Sequence, residues 1–140
     1  MKLRIWDRPS TAASPTGPVL VRPYQIVVPI FVLSGAKKSP EFPAILNTGH
    51  THNLAMSAEC FRNWVRLSLK PIGSVRINQQ DVPLFAGDLE LEGKRIGCAD
   101  GIAVFPRGHR AAPRLPLLGL RALVRSGIRV VIDGWDAIIG

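Results

Sequence analysis

Apolar residues come in short runs broken by turn chemistry, seldom at the 3.6-residue spacing of a long helix. Tyr24 to Leu33 is rich in β-branched and aromatic residues and ends in the turn cluster Ser34 to Pro40. Phe42-Pro-Ala-Ile-Leu resumes the apolar run and stops at the polar tripeptide Asn47-Thr48-Gly49, after which Thr51 to Met56 is again extended in character. Val75 to Gly93 alternates apolar and polar positions around a turn at Asn78-Gln79-Gln80-Asp81, the signature of hairpins with one wet face. Ile96 to Phe105 reads as a strand pair or a bulged strand, and Pro106 to Pro113 as an exposed loop. Leu115-Pro-Leu-Leu-Gly119 is a second apolar run, and Ile128 to Gly134 closes with a strand and a turn at Asp133-Gly134. Two short helices interrupt this pattern. Ser57 is a good N-cap for a segment with Glu59 in its first turn and Phe61, Trp64 and Val65 at helical spacing; Leu120 to Arg125 supports the other. Many short strands with one or two short helices predict a mostly β, closed, barrel-like domain.

At 140 residues the chain has the length of one domain, and with 46% hydrophobic positions it can bury a core of its own. Asp7 to Pro18 holds three prolines among small polar residues, so residues 1–18 read as a flexible leader and 19–140 as the folded domain. The two cysteines, Cys60 and Cys98, cannot build a disulfide framework and are expected as buried thiols in a reducing compartment. The longest apolar run contains Pro29 and is far shorter than the ~18 residues of a membrane span, and no signal-peptide pattern follows Lys2 and Arg4. A soluble, cytoplasmic protein without membrane contact is the expectation. The net charge of +8 raises nucleic acid as a partner. Thirteen of the eighteen cations are arginines scattered from Arg4 to Arg129, with no basic run, and one Tyr and five Phe give no stacking platform. A basic β-barrel gripping nucleic acid is therefore the poorly supported alternative.

Ala44-Ile-Leu-Asn-Thr-Gly-His-Thr, followed some seventy residues later by Leu117-Leu118-Gly119-Leu-Arg-Ala-Leu and Ile128-Arg-Val-Val-Ile-Asp-Gly, resembles the retropepsin-like aspartic proteases over residues 24 to 139. The family pattern is two apolar residues and Asp-Thr/Ser-Gly, then later two apolar residues and Gly before a short helix. The resemblance implies a closed β-barrel-like fold, a homodimer in which each copy supplies one active-site loop, a peptide or protein substrate, and no metal or organic cofactor. It places Asn47, Thr48 and Gly49 on the catalytic loop, with Thr48 bracing the two loops across the axis and Gly49 admitting the catalytic water. Ile77, Asn78, Gln79 and Gln80 would form the flap over the peptide, with His50, Leu118 and Gly119 also lining the binding site.

Position 47 is Asn where the family has Asp. In such sites two close carboxylates share one proton; one activates water and the other protonates the peptide carbonyl. An amide does neither, although it is nearly isosteric and removes a like-charge clash. The expectation is an aspartic endopeptidase of retropepsin type in an inactive form. Asn47 fits both an engineered replacement and a natural pseudoprotease serving as a peptide-binding or dimerising scaffold. His50, where the family usually has a small residue, is a second departure.

The same residues admit plainer readings. Polar-polar-Gly at 47–49 is ordinary turn chemistry. His50 and His52, two apart, could ligate a metal with Cys60 or His109 as a third donor, but without C-x-x-C or H-E-x-x-H they read more simply as polar residues beside a turn. Met56, Phe61 and Trp64 read as core, and Trp135 to Ile139 as an interface strand or an ordinary edge strand.

Overall fold

The structure is a computed structural model describing all residues from Met1 to Gly140. The strands, in chain order, are β1 (Lys2–Arg4), β2 (Ser10–Ala12), β3 (Val19–Val21), β4 (Val27–Ser34), β5 (Lys37–Lys38), β6 (Phe42–Asn47), β7 (Leu54–Ser57), β8 (Pro71–Ile77), β9 (Gln80–Phe85), β10 (Asp88–Leu91), β11 (Lys94–Ile96), β12 (Ile102–Phe105), β13 (Leu117–Gly119), β14 (Val130–Asp133) and β15 (Asp136–Ile139). Helix α1 (Ala58–Cys60) continues as a π-helical turn over Phe61–Val65, and α2 spans Leu120–Ser126.

β4 shows how residue choice sets register. Val28, Ile30 and Val32 are fully buried on one face. Pro29 lies directly opposite Pro43 of β6, with Ala44 opposite Val28 and Phe42 opposite Ile30. The N–H of Leu46 donates to the carbonyl of Ile26 at 2.9 Å, so the ladder bonds fall on every second pair and the Pro29–Pro43 pair is one that needs no N–H. Two prolines that would break a strand elsewhere thus sit where a missing donor costs nothing.

A ten-stranded sheet runs in the order β11-β10-β4-β6-β13-β7-β12-β9-β8, with β5 on the flank of β4. The chain is therefore mostly β, as the pattern implied, but the sheet expected to close on itself is an open path from β11 to β8. The reason lies in the end strands. β8 is largely exposed and shifts register between Pro71 and Gly73, while β11 has only three residues, so neither offers a long regular edge for the other to pair with. Two pairings in the middle are parallel, β6 with β13 and β7 with β12, while β13 runs antiparallel to β7.

One contiguous core joins Val28, Ile30, Phe42, Leu54, Met56, Trp64, Leu89, Ile102 and Leu118. A small satellite cluster of Ala55, Val82, Ala103 and Phe105 lies beneath the β8–β9 hairpin. Ser57 caps α1 as its residue type predicts, its Oγ accepting the N–H of Cys60 at 3.1 Å. Met56 and Trp64 are core residues, while Phe61, half-buried, packs on the core with its ring 4.9 Å from that of Phe85 and tilted by 32°.

Residues 1–18, read as a leader, carry β1 and β2. β2 pairs with β3, and the indole N–H of Trp64 donates to Thr16 Oγ1 at 2.9 Å. β1 pairs with β15, whose other side pairs with β14. Residues 135–139 are therefore not an edge strand: β15 is the centre of a three-stranded sheet, because Lys2–Arg4 fills its free side.

Candidate functional site

β6 delivers Asn47 at its last position, and the chain turns at once. Asn47 Oδ1 accepts the N–H of Gly49 at 3.0 Å and the Asn47 carbonyl accepts the N–H of His50 at 3.1 Å. This side-chain-to-backbone turn is what Asn and Asp are suited to, and a carboxylate oxygen would accept the same bond. Thr48 and Gly49 are exposed at the tip, Asn47 is half-buried, and the Thr48 hydroxyl makes no hydrogen bond within the chain.

β13 runs parallel to β6, with Leu118 opposite Leu46 and Gly119 opposite Asn47. The two motifs, seventy residues apart in sequence, therefore meet side by side. Gly119 is held from the other side as well: its N–H donates to the Asn53 carbonyl at 2.9 Å, and the N–H of Leu120 donates to the His50 carbonyl at 2.8 Å. A Cβ on Gly119 would fall onto the carbonyl oxygens of His52 and His50, so only glycine lets α2 start here against the loop.

The next shell is polar. The imidazoles of His50 and His52 stand 5.2 Å apart, centroid to centroid. Burial lowers the pKa of His50, with the His52 charge adding to the effect. Burial also lowers that of His52, with Arg121 lowering it further and Asp100 opposing both. Asp100 is bridged by Arg121 at 2.9 Å and Arg125 at 2.8 Å, which ties the turn before β12 to α2. Asn53 is buried; its Nδ2 reaches the Gly101 carbonyl at 3.4 Å, but its Oδ1 and the Nε2 of His50 are buried without any partner. An unpartnered buried polar atom costs about 1–3 kcal/mol, so both orphans mark the loop for something beyond its own packing.

Of the residues singled out in the sequence, Asn47, Thr48, Gly49, His50, Leu118 and Gly119 are brought together. Ile77, Asn78, Gln79 and Gln80 make no hydrogen bond to that group. Asn78 and Gln79, both at positive φ, are the two central residues of a tight hairpin, and Gln80 and Asp81 already belong to β9. The hairpin end is fastened to the loop after β12: His109 Nε2 lies 3.0 Å from the Ile77 carbonyl, and no hydrogen bond joins it to residues 47–50. The Cys60 thiol contacts the Arg114 carbonyl, and no cluster of three or more metal-ligating side chains exists, so the third donor considered for the His50–His52 pair is not supplied by this chain. Both thiols are buried, as their residue type implied.

Sequence reasoning missed Asn53, Asp100, Arg121 and Arg125. The signal available was slight: Arg121 and Arg125 are four apart on a short helix, but Asp100 is 21 residues before Arg121 and only the fold brings it to them. A separate open cavity of about 450 Å³ lies between α1 and the loop after β12, lined by Ser57, Glu59, Arg62, Phe105 and Arg107 among others. No helix is long and apolar enough to cross a membrane. No protein-family model, curated protein or solved structure matches the chain.

Proposed function

We propose that the chain is a subunit of a retropepsin-like aspartic endopeptidase arrested at its catalytic position. Two copies assemble a peptide-binding cleft from their Asn47-Thr48-Gly49 loops and hold peptide without turnover. The observation that carries this reading is the register that sets Asn47, in a turn its own side chain closes, opposite Gly119 at the start of α2. The Thr48 hydroxyl, exposed and without a partner in its own chain, is available to the partner loop. Leu120 and Val124 on the adjoining helix are 41% and 70% exposed, and a second copy would cover them. In this reading the open sheet is one half of an enclosure completed by pairing, with the Ile77–Gln80 hairpin as the flap.

The chemistry follows from the side chain. With Asp at 47 in both copies, two carboxylates a few ångströms apart share a proton, and water between them becomes the nucleophile toward a peptide carbonyl. With Asn the loop keeps its shape and loses both the base and the acid. Whether the amide was introduced or inherited, the predicted property is the same: binding as a scaffold, without hydrolysis.

Sedimentation of the chain beside its Asn47→Asp variant, each tested on a diverse peptide library from acid to neutral pH, examines assembly and chemistry together. Both should sediment as dimers, and only the variant should cleave, best in acid. A folded, dimeric Asn47→Asp protein that leaves every peptide intact overturns the protease reading. A chain that stays monomeric at high concentration overturns the shared cleft.

A further inference from the structure

The fold uses one of its three histidines fully. His109 lies with Nε2 3.0 Å from the Ile77 carbonyl and accepts the N–H of Ala111 on Nδ1 at 3.0 Å, so both ring nitrogens are engaged. His50 and His52 are the opposite case. No protein group hydrogen-bonds to either ring, and Nε2 of His50 is buried and unpartnered. A buried imidazole nitrogen without a partner is rare in folded proteins, and here it belongs to the ring whose nearest aromatic neighbour is another unengaged imidazole.

The spacing of the two rings is informative. Their centroids are 5.2 Å apart and their planes are tilted by 57°. Two imidazoles bound to one tetrahedral ion through metal–nitrogen bonds of about 2 Å hold their ring centres about 5 Å apart. We propose that His50 and His52 form a two-imidazole chelate for a divalent transition-metal ion of the zinc type, with water in the remaining coordination positions.

The chemistry of the surroundings selects the class of ion. Both donors are imidazole nitrogens, which suit zinc, cobalt, nickel or copper and not calcium or magnesium, whose ligands are oxygens. Asp100, the carboxylate that acts on His52, is already bridged by Arg121 and Arg125, leaving no ready oxygen donor. The chain supplies only these two donors, so the ion keeps open positions. Its mechanical effect is local: it staples the chain across Thr51, where the His50 carbonyl receives Leu120 and a Cβ on Gly119 would meet the His52 carbonyl. Nothing in this chelate depends on peptide chemistry or on subunit pairing.

Co²⁺ is the probe, because its visible spectrum reports coordination geometry and it broadens nearby NMR resonances. Titration of the full chain should give one Co²⁺ per chain, displaced by Zn²⁺, at the same stoichiometry whether the chain sediments as monomer or dimer. Paramagnetic broadening should centre on the ring signals of His50 and His52. His50→Ala and His52→Ala should each weaken Co²⁺ at least tenfold, whereas Cys60→Ser and Cys98→Ser should not. Zn²⁺ should raise the melting temperature of the parent chain and leave that of the histidine variants unchanged. The NMR measurement needs no variant and stands if a variant fails to fold. No Co²⁺ uptake at millimolar concentration, broadening centred elsewhere, unchanged affinity in a folded His50→Ala protein, or one ion for every two chains would each overturn the chelate.

Discussion

Asn47 and Gly119 lie opposite each other on parallel strands, and the carbonyls of His50 and His52 close over Gly119 so tightly that no side chain fits there. Gly119→Ala therefore drives a methyl into backbone that has no free rotation to yield. The φ of Gly119 is ordinary for any residue, so the cost is steric and not conformational. The expected loss is about 3 kcal/mol, the upper end for overpacking, read as a lower urea midpoint with little change in slope.

The Asn47 side chain serves the turn whatever the chemistry of the site. Asn47→Leu removes the acceptor for the Gly49 N–H and should cost about 1 kcal/mol in urea unfolding. Asn47→Asp keeps the acceptor and should stay within about 0.5 kcal/mol of the parent at neutral pH. A variant pair of equal stability would show that the turn does not rely on this bond.

His50 and His52 make stability depend on pH in a defined direction. Both have folded-state pKa values below the ordinary 6.5, so between those values and 6.5 the unfolded chain binds more protons. Their contribution is complete above pH 6.5 and is lost as pH falls through the lower folded-state values. The metal-free protein should show a falling denaturation midpoint over that interval, and His50→Gln should flatten the slope. Asp100 raises the pKa of His52 and Arg121 lowers it, so in NMR titration Asp100→Asn should move the His52 midpoint down and Arg121→Gln should move it up.

Ser57 supplies the side-chain oxygen at the start of α1, and Ser57→Ala should cost about 1 kcal/mol. The loss should appear in thermal unfolding, and Ser57→Asp should recover most of it because aspartate caps equally well.

The Cys98 thiol is pushed up to about 12, chiefly by burial and then by the neighbouring Asp88, and burial raises Cys60 as well. Neither sulfur forms thiolate at neutral pH. A disulfide reagent should leave both unmodified in the native chain and react with both once denaturant unfolds it. Prompt labelling of Cys98 under native conditions would mean that the segment between β11 and β12 opens locally.

Much of the architecture was legible because it depends on local preference and period. The β-branched run at 26–33, the cap at Ser57, the short helix after Gly119 and the hairpin at 77–80 are each dictated within a window of ten residues. The meeting of 44–49 with 117–119 was legible for another reason: both motifs are apolar residues ending in glycine, and their resemblance to one family pattern linked them across the chain. What was not legible involves partners far apart in sequence or a choice of edge. Alternation marks the end of β8 as strand, but β11 falls between the stretches read as strands, and nothing local reveals that the two do not pair with each other. Lys2–Arg4 and Asp136–Ile139 contain nothing that announces their pairing.

The amino-acid order alone determined a mostly β chain with two short helices and the turn at Asn47-Thr48-Gly49. These follow from side-chain periodicity and from local turn chemistry, and neither needs a distant neighbour. Tertiary structure alone decided that Gly119 sits beneath two histidine carbonyls, that Asp100 is bridged by two arginines, and that His50 and His52 keep unengaged nitrogens while His109 does not. The reason is that hydrogen-bond satisfaction is a property of a place, not of a residue. An imidazole has the same donors and acceptors at positions 50, 52 and 109, and only the packed chain determines which of them find partners.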